Sequence, residues 1–141
     1  MLDHTRQPPA CIEAEQAILG AILLDNAVLD RIAGIITDAD FSEVIHAQVF
    51  IVASRIRSEG AVASPLTMRP HFDGIEMEPG KPVWKYLANL VIGVPTLAYA
   101  TAYAETVREF STRRKLFELG EDLMAASSNP GATVGTIISP T

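Results

Sequence analysis

At 141 residues the chain has the size of one domain, and with 48% hydrophobic and 20% charged residues it has the composition of a protein that buries a core. Seventeen Asp and Glu against eleven Lys and Arg leave a net charge of −6, which argues against broad nucleic-acid binding, because phosphates are held by clustered positive charge. The single cysteine, Cys11, excludes an intrachain disulfide framework and a Cys-rich metal site, and with no apolar run of the roughly 20 residues that span a membrane the expectation is a cytoplasmic protein without membrane contact.

Residues 1–10 are polar, carry Pro8-Pro9 and lack the apolar centre of a signal peptide, so they read as a flexible arm. A first helix is predicted from Ile12. Glu13 and Glu15 lie in its first turn, where the helix dipole favours negative charge. Ala14, Ile18 and Ile22 fall four apart, and Leu19 and Leu23 widen the stripe. Asp25-Asn26 breaks the pattern and offers an N-cap for a second helix. Its apolar face is Val28, Leu29, Ile32, Ile35 and Ile36. Thr37 to Asp40 reads as a loop, with Phe41 anchored in the core. A third helix follows from Ile45 to Ser58, with Ile45, Val49, Phe50, Val52, Ala53 and Ile56 inward and Gly60 as its stop.

Ser64-Pro65 is a start signal, an N-cap hydroxyl followed by Pro at the first helical position. The helix it opens is short, Leu66 to about Phe72, and Pro70 limits it. Asp73 to Pro82, with its glycines and prolines, reads as a loop. Val83 to Val91 is a helix with Trp84, Leu87, Leu90 and Val91 inward. Pro95-Thr96 opens the longest helical pattern, to about Ala126, along which Leu97, Tyr103, Val107, Phe110, Leu116, Phe117, Leu119 and Leu123 recur. Gly120 interrupts it at about 1 kcal/mol relative to Ala. Asn129-Pro130-Gly131 ends it. The expected fold class is all-α: a small helical bundle head over 11–94, one long helix over 95–128, and a tail over 129–141.

Few residues suggest chemistry. Gly74 to Pro82 superficially resembles a phosphate loop, but five residues separate Gly74 and Gly80 where such a loop has four. Glu76 and Glu78 would repel phosphate, and Pro82 stands where a hydroxyl residue is needed. His4, His46 and His71 are scattered without Cys or His partners at ligand spacing, so no metal site is expected; His46 reads as a helix cap or a core histidine. Cys11 sits at a helix start, and that position accounts for it. Glu13, Glu15, Asp38 and Asp40 read as solvated or capping carboxylates rather than acid–base pairs. The basic cluster is Arg113-Arg114-Lys115, with Arg108 before it and Glu109 four residues ahead of Arg113. It reads either as a solvated helix face or as a partner surface. No catalytic, cofactor-binding or metal-binding residue is assigned.

Pro8-Pro9, Ile12 to Gly20 and Leu24-Asp25-Asn26 resemble the opening of bacterial replicative DNA helicases of the DnaB family. Asp40-Phe41, His46, Phe50, Glu59-Gly60 and the helix after Ser64 continue the resemblance. So do Pro95-Thr96, Ala98, Tyr103-Ala104, Val107-Arg108-Glu109, Arg113-Arg114 and Leu116. It covers roughly Pro8 to Leu123, the N-terminal domain of that family. The resemblance implies a helical head followed by a helical hairpin, whose second helix would begin in 129–141. It implies hairpins that pair into homodimers, three dimers forming a collar on a hexameric motor, and a collar that docks primase and in some systems a helicase loader. ATP, Mg and DNA are implied only for a motor domain outside this stretch. On that reading Tyr103, Val107, Phe110, Arg113, Arg114, Leu116 and Phe117 are the expected oligomer or partner interface. The alternative is a free-standing helical adaptor or inhibitor of such a collar. Cys11 in place of a common Ser cap, Pro82-Val83-Trp84, Leu97, Tyr99-Ala100 and the Asp73–Lys81 loop depart from the family pattern and suggest a divergent member.

Overall fold

The computed structural model describes residues 7–131 and 133–135. Most of the arm expected over 1–10 and of the tail expected over 129–141 lies outside the described residues. Helices α1 (Ile12–Leu24), α2 (Ala27–Ile32), α3 (Val44–Ser58), α4 (Pro65–Met68), α5 (Val83–Ile92) and α6 (Ala100–Ser127) follow in chain order. Between α4 and α5 a short antiparallel hairpin pairs β1 (Glu76–Glu78) with β2 (Lys81–Pro82).

Helix α1 is the axis of the head, packed by α3, α5 and α6. Its residues from Ile18 to Leu23 are all buried, so it is apolar on every side, as a helix surrounded by partners must be. Gly20 is required there: a Cβ at this position would lie 2.3 Å from the Leu90 carbonyl oxygen and 2.6 Å from Val94 Cγ2. The α1 and α5 backbones therefore meet at Gly20. Val28, Leu29, Ile32, Val49, Ala53, Ile56, Met68, Val83 and Leu87 complete the core around α1.

Four local expectations change. The second helix ends at Ile32, and Ile36 reaches the core from irregular chain. Thr37 to Asp40 is not a plain loop. Residues Asp38–Asp40 form a 3-10 turn closed by a reciprocal cap, in which Thr37 N–H donates to Asp40 Oδ2 at 2.8 Å. The stretch read as a loop over Asp73 to Pro82 contains the hairpin, with Gly74 and Gly80 at φ of 76° and 82°. The long helix is preceded by a 3-10 turn, Leu97–Tyr99, in which Thr96 Oγ1 accepts from Ala98 N–H at 3.2 Å.

Two start signals are formed as sequence chemistry requires. Ser64 Oγ accepts from Thr67 N–H at 3.2 Å, and Pro65 occupies the first turn of α4. Asp25, rather than Asn26, supplies the side-chain acceptor before α2, from Ala27 N–H at 3.0 Å. Asn26 turns inward. It donates to the Ile22 and Ala63 carbonyls, both at 2.8 Å, and accepts from Ala63 N–H at 2.7 Å. The amide thus satisfies a loop that has no secondary-structure partner of its own.

Candidate functional site

Helix α6 changes character along its length. Ala100, Ala104, Val107 and Ser111 are its buried residues. At about 100° per residue they fall within about 60° of one another, a narrow face against the head. The two alanines let α6 lie close to α1. Beyond Ser111 no residue of α6 is buried.

A polar joint fastens the helix where it leaves the head. Asp40, 2% exposed, accepts from Ser111 Oγ at 2.7 Å through Oδ1, and its Oδ2 lies 3.9 Å from the Arg108 guanidinium. Arg114 donates to the Asp40 carbonyl at 2.5 Å and to the Pro9 carbonyl at 3.1 Å. One guanidinium therefore ties the N-terminal segment, the 3-10 turn and α6 together. Each partner is a backbone or carboxylate oxygen held close to the helix, so the bonds fix the angle at which α6 departs.

A second polar group lies inside the head. Glu15, 1% exposed, accepts from Ser42 N–H at 3.0 Å and Ser42 Oγ at 2.5 Å, and its other oxygen meets His46 Nδ1 at 2.9 Å. His46 Nε2 meets the Tyr86 hydroxyl at 2.6 Å, and Gln16 Nε2 donates to that hydroxyl at 3.1 Å. With Glu15 ionised, Nδ1 donates to the carboxylate and Nε2 accepts from the Tyr86 hydroxyl, so the donors and acceptors are matched along the chain. Burial works against ionisation of Glu15. The hydrogen bonds from His46 and Ser42 outweigh it and hold the carboxyl below its ordinary range. Burial, aided by the charges of Glu43 and Glu15 and opposed by the Gln16 bond, raises the Tyr86 phenol. The expectation of a solvated or capping Glu15 is thus corrected: it is a buried anchor joining α1, α3 and α5. His46 is the core histidine rather than the cap. Among the described residues no group of three His, Cys, Asp or Glu side chains is placed to hold a metal ion.

The expected interface residues separate into two groups. Val107 is 1% exposed and belongs to the head's own core. Arg114 is engaged with backbone carbonyls, and Tyr103 packs half-buried against the core. Phe110 lies under the Arg113 guanidinium at 5.5 Å, while Arg113 pairs with Glu109 at 3.0 Å. The basic cluster is therefore largely spent within the chain. Leu116 remains outward at 64% exposure, with Leu119 at 48%, Leu123 at 41% and Met124 at 41%; Phe117 is half-buried. Leu116, Leu119 and Leu123 lie roughly 130° round the helix from the head-facing residues. Leu119 and Leu123 were visible as apolar repeats, but their separation from the face that carries Val107 needed the position of the head.

Comparisons with known proteins bear on the family and the fold. Residues 7–109 match the family described as the DnaB-like helicase N terminal domain. The replicative DNA helicase DnaB of Geobacillus stearothermophilus is 35% identical over 111 residues, covering 79% of this chain and 24% of that protein. Its counterpart from Rickettsia conorii is 27% identical over 126 residues, covering 89% and 26%. The chain thus spans about a quarter of the length of the curated relatives it matches. The crystal structure of the N-terminal domain of DnaB helicase from Mycobacterium tuberculosis superposes with a TM-score of 0.81 at 29% identity, covering 94% of this chain and 93% of that one. A DnaB-like replicative helicase described with its interactions with primase shares the fold, with a TM-score of 0.68 at 18% identity, over 92% of this chain and 29% of its own.

Proposed function

Because this chain belongs to the DnaB-like helicase N-terminal domain family, we propose that it serves as an assembly and protein-docking domain of a replicative DNA helicase. The observation that carries the reading is α6: pinned to the head by Asp40, Ser111 and Arg114, it presents exposed Leu116, Leu119 and Leu123 beyond the joint. A rigid, projecting helix with an uncovered apolar stripe is suited to pairing with another protein surface. In this reading the chain forms a homodimer, contributes to a hexameric collar in its full-length context, and docks primase or a loader in the cytoplasm. ATP, Mg and DNA would be handled by a motor domain, with no catalytic group supplied by the residues described above.

Light scattering coupled to size exclusion tests assembly. A dimer is expected at micromolar concentration, and conversion to monomer in a Leu116→Asp, Leu119→Asp double variant whose helical content is unchanged. A wild-type monomer at high micromolar concentration would refute it. Pull-down with the C-terminal domain of the cognate primase tests docking, and failure of a folded dimer to retain it would count against that part.

A further inference from the structure

The last buried residue of α6 is Ser111 and its last side-chain tie to the head is Arg114, yet the helix runs on to Ser127. Apart from its own backbone bonds, little holds that outer part. From Lys115 to Leu123 no side chain makes a hydrogen bond or an ion pair among the described residues; the nearest are Arg113 and Arg114 on one side and Ser127 on the other. Glu118 has like charges three and four residues on, Glu121 and Asp122, pairs that weaken a helix. Arg114, four residues before Glu118, is engaged with carbonyls. No basic residue stands in the last turn to offset the helix dipole. Gly120 lies in the middle of this stretch. Gly20 is required by the backbone of α5, but a Cβ at Gly120 would meet nothing within 4 Å. No packing within the chain calls for glycine there, and it costs about as much helix stability as several residues of propagation return.

We infer that Gly120 makes the outer part of α6 a separately melting segment: residues 121–127 stand close to balance between helix and coil, residues 115–119 open next, and opening stops at the Arg114 joint while the head stays folded. The docked half supplies formed turns on which the helix grows, so the nucleation cost is not met again. Each further residue then adds one backbone bond and little else. Burial and tertiary bonds hold α6 only as far as Arg114, so its two parts differ in local stability. The consequence is control of the apolar surface. Leu116 and Leu119 precede Gly120 and Leu123 follows it, so the stripe is continuous only while the segment is helical. The projecting rod is one form of an equilibrium, and a contact made through the stripe carries the cost of closing it. Such a contact is weaker and more readily reversed than one made by the same helix with alanine at position 120.

Amide hydrogen exchange on the full chain, at a concentration where sedimentation shows monomer, tests the segment. Where pairing persists on dilution, a Leu116→Ala, Leu123→Ala variant supplies the monomer; alanine is the better helix former, so this variant biases against the inference. Amides of residues 121–127 should exchange within about tenfold of the free-peptide rate, and those of Ala104 to Ser111 at least about a hundredfold more slowly. Gly120→Ala should slow exchange in 121–127 by up to about fivefold, the scale of the Gly-to-Ala difference in helix propensity, and leave Ala104 to Ser111 unchanged. Gly120→Pro should abolish protection beyond Leu116, because proline breaks a helix interior, and leave the thermal midpoint of the head where it is. Even protection from Ala104 to Ser127 in the monomer, or a lower midpoint of the head in Gly120→Pro, would overturn the inference. Its consequence for binding rests on the assembly role proposed above: Gly120→Ala should tighten the dimer. A weakened dimer would make Gly120 a contact position and overturn that consequence, whereas a wild type that is monomeric at every concentration would remove the assembly reading and leave the exchange result to decide the segment.

Discussion

Glu15 illustrates how much a single side chain changes with its surroundings. Its place in the first turn of α1 satisfies the helix dipole, which is all that local sequence demands. In the fold it is 1% exposed and joined to Ser42 and His46. Its carboxyl is held below the ordinary range, so the unfolded chain takes up a proton first as pH falls. The stabilisation is complete above about pH 4.3, the unperturbed value, and is lost as pH drops through the lower folded value. Glu15→Gln is expected to cost about 2 kcal/mol at pH 7, the scale of hydrogen bonds to a charged group, and to make the acid limb of the stability profile shallower. Thermal unfolding from pH 7 to pH 2 measures both; a variant with the wild-type acid slope would remove Glu15 from this role. The core apolar residues of α1 were legible from their spacing. The partners of Glu15 were not, because Ser42, His46 and Tyr86 are 27, 31 and 71 residues away in sequence and only packing brings them together.

At the scale of elements, some helix starts were readable, since capping is local chemistry, whereas the ends of α2 and α4 fell short of the apolar pattern. Ser64-Pro65, Asp25 and Thr96 act within a few residues of themselves. The 3-10 turn at Asp38–Asp40 was harder to read, because Asp40 serves two elements: it caps its own turn and receives Ser111 of α6. The joint gives α6 its direction. Arg114→Ala removes two bonds to carbonyls, and Ser111→Ala removes one to a buried carboxylate. Hydrogen exchange is expected to accelerate along α6 from Ala100 to Arg114 in both variants, by about tenfold or more for Arg114→Ala, given about 1.5–3 kcal/mol for bonds to a charged group. Amides of Ile18 to Leu23 should keep their protection. Uniform loss of protection across the head would show that these contacts serve global stability instead of the joint.

For the whole molecule, the net charge of −6 and the engagement of Arg108, Arg113 and Arg114 within the chain predict weak contact with DNA. Fluorescence anisotropy of a labelled single strand should stay flat to about 10 µM chain at physiological salt, since non-specific binding scales with the phosphates neutralised. Saturable binding below that concentration would contradict the prediction. The sequence by itself determined the all-helical class, the order of the main helices and much of the apolar core, because periodicity acts over a turn or two of chain. It also carried the family, through residues spread from Pro8 to Leu123. Tertiary structure alone decided that Val107 points into the head while Leu116 points away, that Arg114 binds the Pro9 and Asp40 carbonyls, and that Glu15 is an anchor. A helix carries apolar residues on whichever face is covered, and one repeat in sequence can serve two different neighbours. Only the place where the head ends, after Ser111, separates them.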